Sequence, residues 1–146
     1  MGSLVDVIND PAMRRNVVDD CARLLDAEVS DKRGLRGIAV KAAFKTVKGV
    51  RPGMIPMSVD ALLDDFSAKI DPFWVECQSS DVEPRVFFVR RKSAIAEALL
   101  SITDGRASKS PHRVLKGAYN KLRGQATEHI GAAMPRLADL VQKYAS

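Results

Sequence analysis

Ten residues of this chain, Val40–Gly49 (VKAAFKTVKG), return seventy-five positions later as Leu115–Gly124 (LKGAYNKLRG). Three positions are identical, Lys41/Lys116, Ala43/Ala118 and Gly49/Gly124, and five more are close pairs: Val40/Leu115, Ala42/Gly117, Phe44/Tyr119, Val47/Leu122 and Lys48/Arg123. A repeated amphipathic segment limits the architecture strongly, because neither copy can bury its apolar side alone and each needs a partner surface. Other parts of the chain align at similar offsets. Leu24-Leu25 precedes Leu99-Leu100 by the same seventy-five positions, and Ala61, Leu63, Phe66, Ile70 and Phe73 match Ala132, Met134, Leu137, Val141 and Tyr144 at seventy-one. The shorter offset follows if the loop "VRPGMIPM" is abbreviated in the second half. The expectation is an all-α single domain, residues 1–146, made of two related three-helix units about an approximate two-fold axis. Repeat one covers about 11–75, a joint about 76–84 and repeat two about 85–146. Chance similarity between amphipathic helices is the competing explanation.

The helical periodicity can be followed along the chain. After "NDP", Asp10 is a cap and Pro11 suits a first turn, while Val17, Val18, Cys21, Leu24, Leu25 and Val29 recur at helical spacing until Gly34 stops the run. A second helix is expected over about Gly37 to Gly49. A third starts with Ser58 as its cap, because Pro52, Gly53 and Pro56 read as a loop, and Asp71-Pro72 should kink or restart it. "QSSDVEP" is the joint. "RVFFV" has the composition of a strand, but Pro84 before it and the spacing of Ile95, Leu99 and Ile102 after it favour a helix. Ser110-Pro111 reads as a cap and first-turn pair, and Pro135 should bend or interrupt the closing pattern Ile130, Ala133, Met134, Leu137, Val141 and Tyr144. An extra helical segment is expected at the N-terminus.

With 146 residues, 46% of them hydrophobic, the chain is large enough to bury a core without disulfides or structural metal. Aromatics at 5% leave that core to aliphatic side chains. No apolar run is long enough to cross a bilayer and the start "MGSLVDVIND" is acidic where a secretory signal would be basic, so the expected location is cytoplasmic. Cys21 and Cys77 lack metal-clip spacing and read as small, partly buried thiols.

The net charge of +5 is unevenly distributed. From Lys32 to Val59 there are seven basic residues and no acid, and from Gly105 to Thr127 six and no acid. On a helical wheel Lys41, Lys45 and Lys48 form one narrow stripe beside the apolar arc Val40, Ala43, Phe44, Val47 and Val50. Lys116, Asn120 and Arg123 occupy the same phase beside Leu115, Ala118, Tyr119 and Leu122. The apolar positions read as scaffold. The cations, with Arg51 just beyond the first copy, are the candidate anion-binding set: Lys41, Lys45, Lys48, Arg51, Lys116 and Arg123. Their solvated-face alternative is inert and serves solubility. Their functional reading is contact with phosphates of a nucleic acid through counterion release, without base recognition, since no helix-turn-helix, zinc-finger spacing or aromatic platform is visible. A protein partner or self-association is the alternative, and an anionic membrane surface ranks below these because the apolar arc is needed for the core.

The stretches "LLDAEVSDKRGLRGIAVKAAFKTVKGVRPG", "IDPFW", "AEALLSITD" and "LRGQATEHIGAAMPRLADLV" resemble a bacterial domain-of-unknown-function family of small soluble proteins, over nearly the whole chain. The resemblance implies a helical fold and assigns no activity or catalytic residues.

Enzymatic motifs are missing. Glu128 and His129 are adjacent, so on a helix they diverge; Asp19-Asp20 and Asp64-Asp65 read as polar helix faces; no Ser or Cys lies in a nucleophile motif. Gly34 and Gly37 in "KRGLRG" could cradle a phosphate with Arg33 and Arg36, but a helix-ending glycine explains Gly34 more simply. No cofactor or metal is expected. A small-ligand cavity between the halves would draw on Phe44, Phe66, Trp74 and Tyr119, although an ordinary packed core also accounts for them.

Overall fold

Asp10 opens the first long helix by accepting a hydrogen bond from the Ala12 amide at 3.0 Å, with Pro11 in a first-turn position that owes no amide bond. The computed structural model describes residues 3–145, and these form nine helices: α1 Leu4–Ile8, α2 Pro11–Asp31, α3 Gly34–Val50, α4 Met54–Gln78, α5 Pro84–Arg90, α6 Lys92–Lys109, α7 Arg113–Arg123, α8 Ala126–Ala132 and α9 Met134–Ala145. No strand occurs among the described residues, and "RVFFV" is helical within α5.

Four boundaries differ from the sequence expectation. α4 begins at Met54, one turn before Ser58, because Gly53 in the left-handed region (φ 76°) turns the chain and Pro56 falls in the first turn, where its missing N–H is no loss. α4 also runs through Pro72 to Gln78 with no restart. α2 already ends at Asp31, so Gly34 (φ 71°) opens α3 and does not stop α2. Ser110 closes α6; its Oγ accepts from the His112 amide at 3.1 Å, and His112, not Ser110, precedes α7. Pro135 does interrupt the closing pattern: α8 ends at Ala132 and α9 starts at Met134.

The main core joins α1, α2, α4, α5, α6 and α9. Phe88, Ile95, Met134, Ala138 and Val141 have no exposed surface, and Leu63, Ile70, Trp74, Cys77 and Phe87 complete the cluster. At roughly 1.5–3 kcal/mol for each large apolar side chain taken out of water, this cluster supplies most of the driving force for folding. α1 packs on α4, and α5 on α9. The Asp71 carboxylate, in mid-α4, accepts from the Leu4 amide at 2.7 Å and the Val5 amide at 3.2 Å, satisfying two of the donors that a helix start leaves open.

Ion pairs tie the outer faces together. Arg14 reaches Asp60 and Asp64, Arg106 reaches Asp65, and Asp20 receives Lys143, Arg23 and the Tyr144 hydroxyl. Asp20, Asp64 and Asp65 therefore each hold a cation on the outer face of a helix. Glu28 is nearly buried between Lys32 and Arg136, and Arg136 also grips Asp31, which joins α9 to the end of α2.

The repeated stretches lie in α3 and α7, and these two helices pack against each other outside the main cluster. Their burial is thin. Only Gly37, Val40 and Ala43 are buried in α3 and only Ala118 in α7. Gly37 is forced by close approach: a Cβ there would stand 2.7 Å from the Lys32 carbonyl carbon. It lets the first turn of α3 fold back over the end of α2.

Candidate functional site

The acid-free segments of the sequence become one structural unit, because α3 and α7 lie side by side. Val40, Ala43, Phe44, Val47 and Val50 of α3 are buried or half-buried, as are Leu115, Ala118, Tyr119 and Leu122 of α7. The cations on the other arcs are separated by the structure into two groups.

Lys41, Lys45 and Lys116 are exposed and have no acidic partner among the described residues. Arg113 and Lys121 of α7 share that condition. Lys48, by contrast, pairs with Asp26 of α2 at 3.1 Å and stands over the Phe44 ring, 4.7 Å from its centroid. Arg123 donates to both oxygens of Asp104 on α6, at 2.8 and 3.0 Å. Arg51 is exposed, with its guanidinium 3.4 Å from the Met57 sulfur. The candidate set is thus half free and half engaged.

The Arg123–Asp104 pair belongs to a polar cluster that fixes α7 to α6. The Tyr119 hydroxyl donates to Asp104 and lies 2.8 Å from the Thr103 hydroxyl. Arg123 and then Tyr119 hold the Asp104 carboxyl below the usual carboxylate range. Burial, reinforced by Asp104, pushes the Tyr119 phenol up. With its lone pairs already engaged, Asp104 leaves Arg123 little charge to offer a ligand.

The aromatic residues considered as cavity lining do not gather around one space. Phe66 and Trp74 belong to the main core cluster, whereas Phe44 lies under Lys48 and Tyr119 hydrogen-bonds Asp104. Surface recesses occur elsewhere: one between α2 and α9, lined by Asp20, Arg23, Leu24 and Arg136, and one beside α6, lined by Asp65, Ile102, Arg106 and Lys109. Their carboxylates are ion-paired. No group of three or more His, Cys, Asp or Glu side chains is placed to hold a metal among the described residues. Glu128 pairs with Arg36, and His129 leaves its Nε2 buried and without a partner. Burial, and then the charge of Lys32, lowers the His129 pKa. Cys21 and Cys77 are free thiols, and burial pushes Cys21 up to about 11, so neither is an activated nucleophile.

Sequence reasoning passed over two residues on this unit. Leu35 is 86% exposed and Ile38 65%, one turn apart at the start of α3. Their signal was present in the sequence once α3 is extended back to Gly34: on that longer wheel they fall opposite the buried Val40 and Ala43.

A family described as a family of unknown function, DUF6918, matches residues 4–145. The chain belongs to that family. No curated protein and no solved structure matches it. For this DUF6918 chain the family therefore transfers no chemistry. No helix among the described residues is long and apolar enough to cross a membrane.

Proposed function

We propose that this DUF6918 protein is a non-enzymatic binding module whose α3–α7 face takes up a polyanion, with the phosphate backbone of a nucleic acid as the first ligand to test. The observation that carries this reading is that α3 and α7 contain no acidic residue, whereas α2, α4, α6 and α9 each carry carboxylates among their cations. Arg36, Lys48 and Arg123 borrow acids from other helices, and Lys41, Lys45, Lys116, Arg113 and Lys121 meet none. Five unpaired cations on two adjacent helices set up a local positive field, which favours association with a surface of repeating negative charge and costs the fold little.

The pairing of α3 with α7 also supports the reading of the repeat as a duplicated scaffold, in which equivalent helices meet near a pseudo-two-fold axis. Phosphate contact of this kind gains affinity from counterion release and reads no bases. Affinity for labelled duplex DNA and RNA should then fall steeply with salt. Lys41→Ala/Lys45→Ala/Lys116→Ala should flatten the log–log salt dependence on duplex DNA by roughly 3, about 0.9 for each contact removed. Superimposable salt curves for the two proteins, or no binding of either at low salt, would defeat the nucleic-acid reading.

A further inference from the structure

α3 presents to water a face that phosphates do not explain. Leu35 is the most exposed large apolar side chain among the described residues, and Ile38 follows on the same side of the helix. The face continues through Ala39, Ala42, Thr46 and Gly49, all exposed and all uncharged. With 3.6 residues per turn these positions form one strip along the side of α3 away from Val40, Ala43 and Val47, which turn toward α7 and the body of the protein. Lys41 and Lys45 border the strip on one flank. α7 packs on the other side of α3 and carries exposed Arg113, Val114, Lys116 and Lys121 of its own.

The fold does not need these apolar side chains. Val40, Ala43 and the half-buried Phe44, Val47 and Val50 already fill the contact side of α3, so Leu35 and Ile38 are surplus to the core. This removes the sequence-level objection that the apolar arc of the helix is used up inside.

Three kinds of partner meet such a strip differently. A nucleic-acid backbone satisfies the lysines and leaves Leu35 and Ile38 in water. A second copy of the chain covers the apolar strip but sets one acid-free face against another, which like-charge repulsion opposes. An anionic lipid leaflet satisfies both parts, taking cations at the headgroups and apolar side chains at the acyl boundary. We infer that the polyanion is an anionic lipid surface, on which α3 lies in the plane of the interface with Leu35 and Ile38 inserted and Lys41 and Lys45 among the headgroups. This rests on the polyanion reading of the α3–α7 face and names its partner.

The test is cosedimentation of the full chain with vesicles of phosphatidylcholine, with and without phosphatidylglycerol, beside binding to duplex DNA. The wild type should bind only the phosphatidylglycerol vesicles. Each cation near an anionic leaflet contributes about fivefold to partitioning, so Lys41→Ala/Lys45→Ala should weaken binding about twenty-fivefold. Leu35→Ser/Ile38→Ser should weaken it at least about tenfold through lost apolar insertion, and should leave any DNA binding unchanged. Both variants alter exposed positions, and unchanged circular dichroism and melting confirm that they fold. A Leu35→Trp variant supplies a direct depth reading, since Trp74 is buried in the core and contributes a constant background. Its fluorescence should shift to the blue and be quenched by brominated acyl chains. Loss of DNA binding in the lysine variant, with no vesicle binding by the wild type, sinks the lipid inference and keeps the polyanion face. Vesicle binding indifferent to Leu35→Ser/Ile38→Ser, or self-association that this variant abolishes in the absence of vesicles, also overturns it. Failure to bind either vesicles or DNA overturns both readings.

Discussion

The α1/α4/α5/α9 side of the protein and the α3–α7 side are built to different standards. On the first, side chains such as Phe88, Met134 and Val141 are wholly enclosed, and Asp71 holds the start of α1 on α4. On the second, only Gly37, Val40, Ala43 and Ala118 are buried in the two helices, while Leu35 and Ile38 face outward. The difference separates two tasks. The enclosed side holds the large buried side chains, and the thinly buried pair carries the unpaired cations and exposed apolar groups on which the proposed surface contact rests.

Substitutions can break that division, beginning with the largest expected effect. Phe88→Ala should cost about 3–5 kcal/mol in chemical denaturation and lower the melting temperature of the whole chain, because the cavity lies where the helices converge. A loss below 1 kcal/mol, roughly that of a surface change, would show that the core is not where the stability resides. Gly37→Ala should cost about 1–3 kcal/mol, since the added methyl meets the Lys32 backbone and the corner between α2 and α3 must open. Hydrogen exchange would show the loss concentrated in α3 and α7. Asp71→Ala should cost about 1–2 kcal/mol by leaving the Leu4 and Val5 amides without their acceptor, with faster exchange in α1 and none in α7.

A gentler effect concerns pH. His129 sits where α8 meets the α2–α3 corner, facing Lys32 and Arg36 with Glu128 in opposition, and its folded pKa lies below the ordinary imidazole value. The unfolded chain therefore takes up the proton first as pH falls. Stability contributed by the neutral ring is complete above the ordinary imidazole value and declines as pH falls through that value toward the lower folded one. Denaturant midpoints should drop across this window in the wild type and stay level there in His129→Gln. Least of all, Lys41→Ala/Lys45→Ala/Lys116→Ala should change stability by no more than about 0.5 kcal/mol, because these side chains are exposed and pair with no carboxylate among the described residues.

Much of the fold was legible in the sequence, for reasons particular residues make clear. Asp10-Pro11 marks the start of α2 because both residues act locally, through a side-chain acceptor and a fixed φ. Pro135 separates α8 from α9 for the same kind of reason. Pro56 and Pro72 misled because the cost of a proline depends on its place: within the first turn it owes no hydrogen bond, and in mid-α4 it leaves only the carbonyl of the exposed Ala68 to be served by water. In the candidate site, the free lysines Lys41, Lys45 and Lys116 could be anticipated from charge segregation alone. The neutralisation of Lys48 and Arg123 could not. Their partners, Asp26 and Asp104, sit on neighbouring helices, and only tertiary packing brings those carboxylates into reach.

The Glu28 cluster bears on how α9 chooses its place. The apolar positions of α9, Met134, Ala138, Val141 and Tyr144, recur at intervals that look much the same after a slide of one turn along the neighbouring helix. A slide of 5.4 Å, however, would carry Arg136 away from Glu28 and Asp31 together and strand a nearly buried carboxylate beside Lys32 alone. Grease alone would accept either alignment; the charges act as a detent, admitting one position and rejecting its neighbours.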